Sequence, residues 1–464
     1  MVESPELIDS QPELFAQHYE EAGFVEKSIN CWGKAGRRSA ARSAMAEAVA
    51  QFHKALDQVK LLPDSRERHL KELEFYSSLG AVLFAVKGWA ASETGQAYAR
   101  ARVLWDQLGS PPEFLHILLG QSLHYVIRGE LALAERLDED LMRLGRERGD
   151  SATLVLGHLS SGRTMMFGGM FVSALSHIEA GLALYDPVAH GSLVNHAATY
   201  PHVHSLSEAA IVLFCLGYPD QALARSNAAV AEAQRLAHPP SLSISLALGA
   251  LLLSLVGEHA AADERIDQLL AVTTEQKFPY WGSMGTVYRG WVNVMKGNVA
   301  EGISFLRSGA TAYRSTGAEA WTPYHFNLLS VACERAGRFE ESLTLVEDAL
   351  EITEKTGVRW LAAELYRHKG QRLLRQGHTR TAEGFFSEAL SIAEEQKAKI
   401  WELRAAVSLA QIHQDHGRPA EALDLLAPIF GWFTEGFATP DLIAAKALID
   451  ELAISAATPA HQRA

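Results

Sequence analysis

Apolar residues along this chain recur at helical spacing. Between Glu340 and Lys355, for example, Leu343, Val346, Ala349, Leu350 and Thr353 follow the 3.6-residue period of a helix. No convincing run alternates apolar and polar residues with period two, so essentially no strand is expected. The most apolar stretch, Leu242 to Val256, is bracketed by Pro239-Pro240 and Gly257. It is shorter than the ~20 residues a membrane-spanning helix needs, and it reads as a buried helix.

The helical segments repeat. Gly217, Gly257, Gly297, Gly337, Gly377 and Gly417 stand forty residues apart. A small residue precedes each glycine by seven positions: Ala210, Ala250, Gly290, Ser330, Gly370 and Ala410. Another follows each by five: Ala222, Ala262, Gly302, Ser342, Ala382 and Ala422. Small residues at fixed places on two successive helices allow close axial approach, and a fixed period of this length marks a solenoid. One unit reads as a helix from Tyr280 to Lys296, a turn at Gly297-Asn298, and a second helix from Ala300 to Arg314. The next units read as Trp321–Ala336 with Glu340–Lys355, Trp360–Gln376 with Thr381–Gln396, and Trp401–His416 with Ala420–Phe430.

Upstream, Gly88, Gly129 and Gly169 continue the series, and Gly169 to Gly217 is eight residues too long. The excess falls in an expected inserted loop at 186–205. The predicted organisation has a disordered N-terminus at 1–10 and a three-helix piece at 11–62: Pro12–Glu21, Val25–Ala40 and Ala44–Val59. A hinge at Leu62-Pro63-Asp64 leads to the array at 63–453, followed by a disordered tail at 454–464.

Composition narrows the function. A formal charge of −13, with no basic cluster longer than Arg37-Arg38 or the Arg66 and Arg68 pair, argues against a nucleic-acid partner. Cys31, Cys215 and Cys333 are scattered and read as core residues of a reducing compartment. With no basic-then-apolar opening segment, the expectation is a cytoplasmic protein with no membrane partner. His190, His196, His202 and His204 crowd the inserted loop, but in no metal-binding spacing; they read as surface histidines or loop contacts. Gly33-Lys34 lacks the rest of a phosphate-binding loop, and no nucleophile elbow or paired catalytic carboxylate is found. No catalysis, no metal and no cofactor are expected.

The pattern of small residues, with alanines at Ala229, Ala349 and Ala389, resembles the tetratricopeptide repeat. That family's usual period is 34, so each helix here gains about three residues. The resemblance implies an all-α helical-hairpin solenoid with a period of about 40, coiled as a right-handed superhelix. It also implies a concave groove lined by the first helices. Matching positions are Tyr324, Asn327, Glu334 and Arg335, then Glu364, Arg367, Gln371 and Arg375, then Arg404, Gln411, Gln414 and Asp415. The upstream set, Met284, Val287, Trp291, Val294 and Met295, is apolar. The recurring Trp281, Trp321 and Trp401, with Trp360 one place out of register, read as core packing between repeats.

Longer segments carry a second resemblance. Phe278-Pro279-Tyr280-Trp281, the run Trp360 to Arg367, Trp401 to Ala406, and the closing Gly431-Trp432-Phe433-Thr434-Glu435-Gly436-Phe437 are similar to the C-terminal region of large bacterial signalling proteins. In that family a class III adenylyl/guanylyl cyclase domain or a DNA-binding region precedes a signalling ATPase module and a tetratricopeptide tail. The resemblance implies a sensor or scaffold arm that binds a protein, peptide or small effector in its groove and acts on an ATPase or cyclase. The alternative is a nucleotide-handling component whose catalytic part lies on another chain or is lost. Homo-oligomerisation through an end repeat is also an expectation.

Overall fold

The computed structural model describes residues 10–457 apart from position 43, and within them the chain is helical with no strand. The architecture is a stack of antiparallel helix pairs, a tetratricopeptide-like solenoid. The unit read from Tyr280 to Arg314 consists of helices Pro279–Met295 and Val299–Ser315. The next three units match their expected bounds within two residues. The starts are set by prolines at the first helical turn, as at Pro201, Pro279 and Pro419, where a missing N–H costs nothing.

Close approach within a pair rests on the two small-residue columns. A Cβ on Gly290 would sit 2.6 Å from the backbone nitrogen of Leu306, and one on Gly302 would sit 2.7 Å from the carbonyl oxygen of Gly290. One repeat on, Ser330 and Ser342 take those places, and each hydroxyl donates to the other's carbonyl at 2.8 Å.

The helices of residues 12–59 share one apolar cluster with Phe75, Leu79, Val82 and Leu83 across the expected hinge. They are the start of the stack. The expected loop at 186–205 is largely helical: short helices Pro187–His190 and Val194–Ala197 precede helix Pro201–Leu216. Leu193 and Ala197 bury themselves among Tyr98, Leu118 and Leu119, so the insertion plugs the inner face of the first repeats. Its described histidine side chains are not surface groups. His190 bonds Ser151, His202 bonds Glu232, and His204 is buried against Arg163 and Glu208. The final helix, Pro440–Ala457, overruns the expected start of the tail at 454. The rest of the tail and the segment 1–9 lie outside the described residues.

The array coils until its turns touch. The N–H groups of Glu319 and Ala320 both donate to the carbonyl of Ile127, at 2.8 and 3.1 Å. One repeat further on, Arg359 and Trp360 donate to the carbonyl of Phe167 at the same distances. Each acceptor lies two residues before a series glycine, Gly129 or Gly169, and each donor loop opens the repeat five units later. One superhelical turn therefore holds five repeats. The tryptophan column packs in this seam: Trp321 on Phe167, Trp281 on Trp89, and Trp401 on Phe214. These side chains are buried and contact neighbouring repeats as expected, with Trp321 on Trp360 and Trp401 donating to the carbonyl of Trp360, and they also meet a repeat one turn away.

The series glycines of the first turn serve the same seam. All have positive φ, yet a Cβ on Gly217 would meet Trp432 at 2.7 Å and Lys399 at 2.8 Å, whereas Gly297, Gly337, Gly377 and Gly417 face nothing within 4 Å. The first group is roofed by the second turn. We predict that Gly377→Ala costs about 1–2 kcal/mol, the strain of a left-handed alanine. Gly217→Ala should cost about 1–3 kcal/mol more, because it also overpacks the seam. Urea unfolding of both variants measures the difference, and equal costs would remove the seam's role.

Candidate functional site

The first helices of the second turn form a ring that closes on itself. Nη2 of Arg404 donates to the carbonyl of Leu255 at 3.1 Å, and Gly257 lies against Pro440. Inside this ring is a hollow of about 290 Å³, with apolar walls from Trp291, Met295, Leu328 and Val331. The opposite wall is polar, built from Asn327, Glu364, Arg367, His368, Arg404 and Asp441. A second hollow of about 280 Å³ adjoins it through Arg367, Arg404 and Asp441, and extends to Gln371 and Gln411.

The polar wall is one bonded network. Tyr324, Glu364 and Arg404 occupy the same repeat position forty residues apart, which sets them side by side on the inner face. Glu364, only 3% exposed, receives Nε and Nη2 of Arg367 at 2.7 and 2.6 Å and Nη1 of Arg404 at 3.1 Å. Arg404 also grips Asp441 with two bonds of 2.8 Å. His368 accepts from Arg367 through Nε2 and donates from Nδ1 to the side-chain carbonyl of Asn327. Burial opposes ionisation of Glu364, but Arg367 and Arg404 outweigh it and hold the carboxyl well below its usual range. For His368, burial and the Arg367 charge both hold the imidazole neutral at pH 7.

Of the sequence-predicted groove residues, the structure brings Tyr324, Asn327, Glu364, Arg367 and Arg404 to the first hollow and Gln371 and Gln411 to the second. Glu334 is drawn away into ion pairs of 3.1 Å with Arg372 and Arg375. Arg335, Arg375 and Asp415 are exposed outside the hollows, and Gln414 is half-buried there. The upstream apolar set divides: Met284, Val287 and Val294 are buried in the core, and only Trp291 and Met295 reach the hollow. Sequence reasoning missed His368, Arg372 and Asp441. Asp441 had a readable signal, since it stands forty residues after Trp401 and so opens a further first helix.

Comparison with known proteins follows this geometry. Residues 321–395 match a tetratricopeptide-repeat model. This segment is a tetratricopeptide-repeat region. An uncharacterized protein of Rhizobium meliloti (strain 1021) is 25% identical over 406 residues, covering 86% of this chain. The chain spans only 39% of that relative's length. Among solved structures, a Rap protein complexed with Competence and Sporulation Factor is similar with a TM-score of 0.57 at 11% identity, over 81% of this chain and 99% of that one. The quorum sensor NprR in complex with its cognate peptide NprX gives 0.52 at 13% identity, over 78% and 97%. At these identities the likeness is one of fold. Among the described residues no helix is long and apolar enough to cross a membrane, and no three metal-ligating side chains cluster.

Removing the carboxylate of Glu364 leaves the largely buried Arg367 without an acidic partner and Arg404 with Asp441 alone. Glu364→Gln should destabilise the fold by about 3–5 kcal/mol, while Arg375→Ala, an exposed side chain whose partner Glu334 keeps Arg372, should cost under about 1 kcal/mol. The folded-state pKa of Glu364 is depressed, so its contribution is complete above the unfolded value of 4.5 and is lost as pH falls below it. Urea midpoints at pH 7, 5 and 3.5 should therefore fall less steeply across the acid interval in Glu364→Gln than in the native chain.

Proposed function

We propose that this chain is a non-catalytic binding arm whose axial hollows take a peptide or an extended segment of a protein. The observation that carries the reading is the pairing of an apolar wall with polar groups that keep bonding capacity. Arg367 uses Nε and Nη2 within the network and retains Nη1. Asn327 uses its carbonyl on His368 and retains its amide N–H groups. Gln371 and Gln411 line the adjoining hollow. An extended peptide presents backbone carbonyls for those donors and alternate side chains for the Trp291–Met295 wall. Hollows of this size and mixed lining are the usual form of a ligand site. The NprR structure, which shares the fold and is in complex with its cognate peptide, supports the same reading.

The finer proposal concerns the partner. The closing segment that resembles the tail of bacterial signalling ATPases and cyclases points to a regulatory arm acting on such a module. Coupling would require the occupied and empty arm to bind two states of that module differently.

The test is to select peptides from a random displayed library on the full chain and measure their affinities by fluorescence anisotropy. Val331→Trp, which fills the first hollow, should weaken binding at least tenfold; Gln414→Trp, outside it, should leave binding within twofold. Binding insensitive to Val331→Trp would refute the site. For the partner, pull-down from native cytoplasm should recover an ATPase or cyclase, and its absence with a folded bait would remove that part of the proposal.

A further inference from the structure

A separate hollow of about 380 Å³ opens at the seam, between helices Leu131–Arg148, Ser151–Gly168 and Phe171–Leu184 of the first turn and Gly357 of the second. Three methionines, Met142, Met165 and Met170, supply its apolar surface. Unbranched thioethers adapt to ligands of varied shape.

The opposite chemistry sits beside them. Asp138 lines the hollow yet is only 3% exposed. Its Oδ1 accepts from Ser122 at 2.6 Å and Ser160 at 2.5 Å, and its Oδ2 accepts only from Thr164, at 2.5 Å. Among the described residues no Lys, Arg or His forms an ion pair with it, and one lone pair on Oδ2 is left over. Burial outweighs the three hydroxyl donors and the charge of Arg163, which is itself paired with Glu208, and pushes its pKa up to about 6, so at pH 7 the hollow holds a desolvated carboxylate without an ion-pair partner of its own. Glu135 and Glu139 also line it, exposed and without ion pairs among the described residues. The one cation on the wall is Arg146. It acts on His158 and His177, whose imidazoles burial and nearby positive charge keep neutral. Three carboxylates thus face one guanidinium.

We propose that this hollow is a binding site for a small organic cation, a primary amine carried on an apolar body. The ammonium would bond Oδ2 of Asp138 and the Glu135 and Glu139 carboxylates, and the body would lie on the methionines. Charge-assisted bonds of this kind strengthen as water is excluded. The site does not depend on the axial hollows.

The probe is hexylamine, titrated calorimetrically into the full chain at pH 7, with hexanol and hexanoate as controls. One saturable site in the millimolar range or tighter is expected for hexylamine, and none for either control. The double variant Glu135→Gln with Glu139→Gln, both exposed, should weaken binding at least tenfold. Asp138→Asn should weaken it further; if that variant does not fold, the double variant decides. Val331→Trp in the axial hollow should change nothing. Hexylamine binding untouched by the double variant, equal binding of hexanol, or no saturable binding would each overturn the proposal.

Discussion

Contact between successive superhelical turns governs the rest of this molecule, and it is made at the ends of the first helices. A helix leaves its last carbonyls without intrahelical partners. In the first turn, those of Ile127 and Phe167 are satisfied by N–H pairs from the repeat five units later. The residue beside such a carbonyl must reach a left-handed conformation to end the helix, and it must also leave room for the arriving loop. Glycine meets both demands. A solenoid without this seam would be an open spring whose pitch followed only from small rotations between neighbours. Here the seam fixes five repeats per turn, and with that the diameter of the ring and the volume at its axis.

Burying Glu364, Arg367, Arg404 and Asp441 inside that ring carries a large desolvation cost, which their mutual bonds offset. A hydrophobic cluster of the same volume could hold the ring as well. The ionic arrangement does something a greasy one would not: Arg404 ties adjacent first helices together through Glu364 and Asp441 and reaches across the seam to Leu255. Planar, directional bonds admit one register of the two turns, whereas apolar contacts would tolerate sliding.

The hairpins, their bounds and the small-residue columns were legible because each follows from local chemistry repeated in register. Prolines mark helix starts, glycines mark ends, and the small residues face each other within one pair. The seam was not legible. Its contacts join residues nearly two hundred positions apart, and nothing local distinguishes Gly217, roofed by Trp432, from Gly377, which is open. The closing motif shows the same limit. Glu435 was readable only as part of a resemblance, yet its carboxylate caps the helix at Pro219 by accepting from the N–H groups of Asp220 and Gln221 at 2.9 and 3.0 Å. The inner-face column does place Tyr324, Glu364 and Arg404 on one hollow, because repeat position alone decides which face a residue shares. It could not show that Glu334 turns aside to Arg372, since that choice is made by side-chain packing.

The insertion and the seam together decide where a ligand can enter. Residues 187–197 fill the inner face beside Tyr98 and Leu119, leaving beneath them a void of only about 20 Å³, room for a single water. Among the described residues the second turn has no such plug, and its axis holds the larger hollow. Its walls come from both sides of the seam: Leu255 and Gly257 from one turn, Arg404, Pro440 and Asp441 from the next. A molecule filling this space would touch both turns at once, and its binding energy would depend on their separation. That dependence works in both directions, because a ligand favouring one spacing of the turns must itself be favoured by anything that enforces that spacing. Occupancy of the proposed site and the spacing of the turns would therefore be linked through how the coil closes.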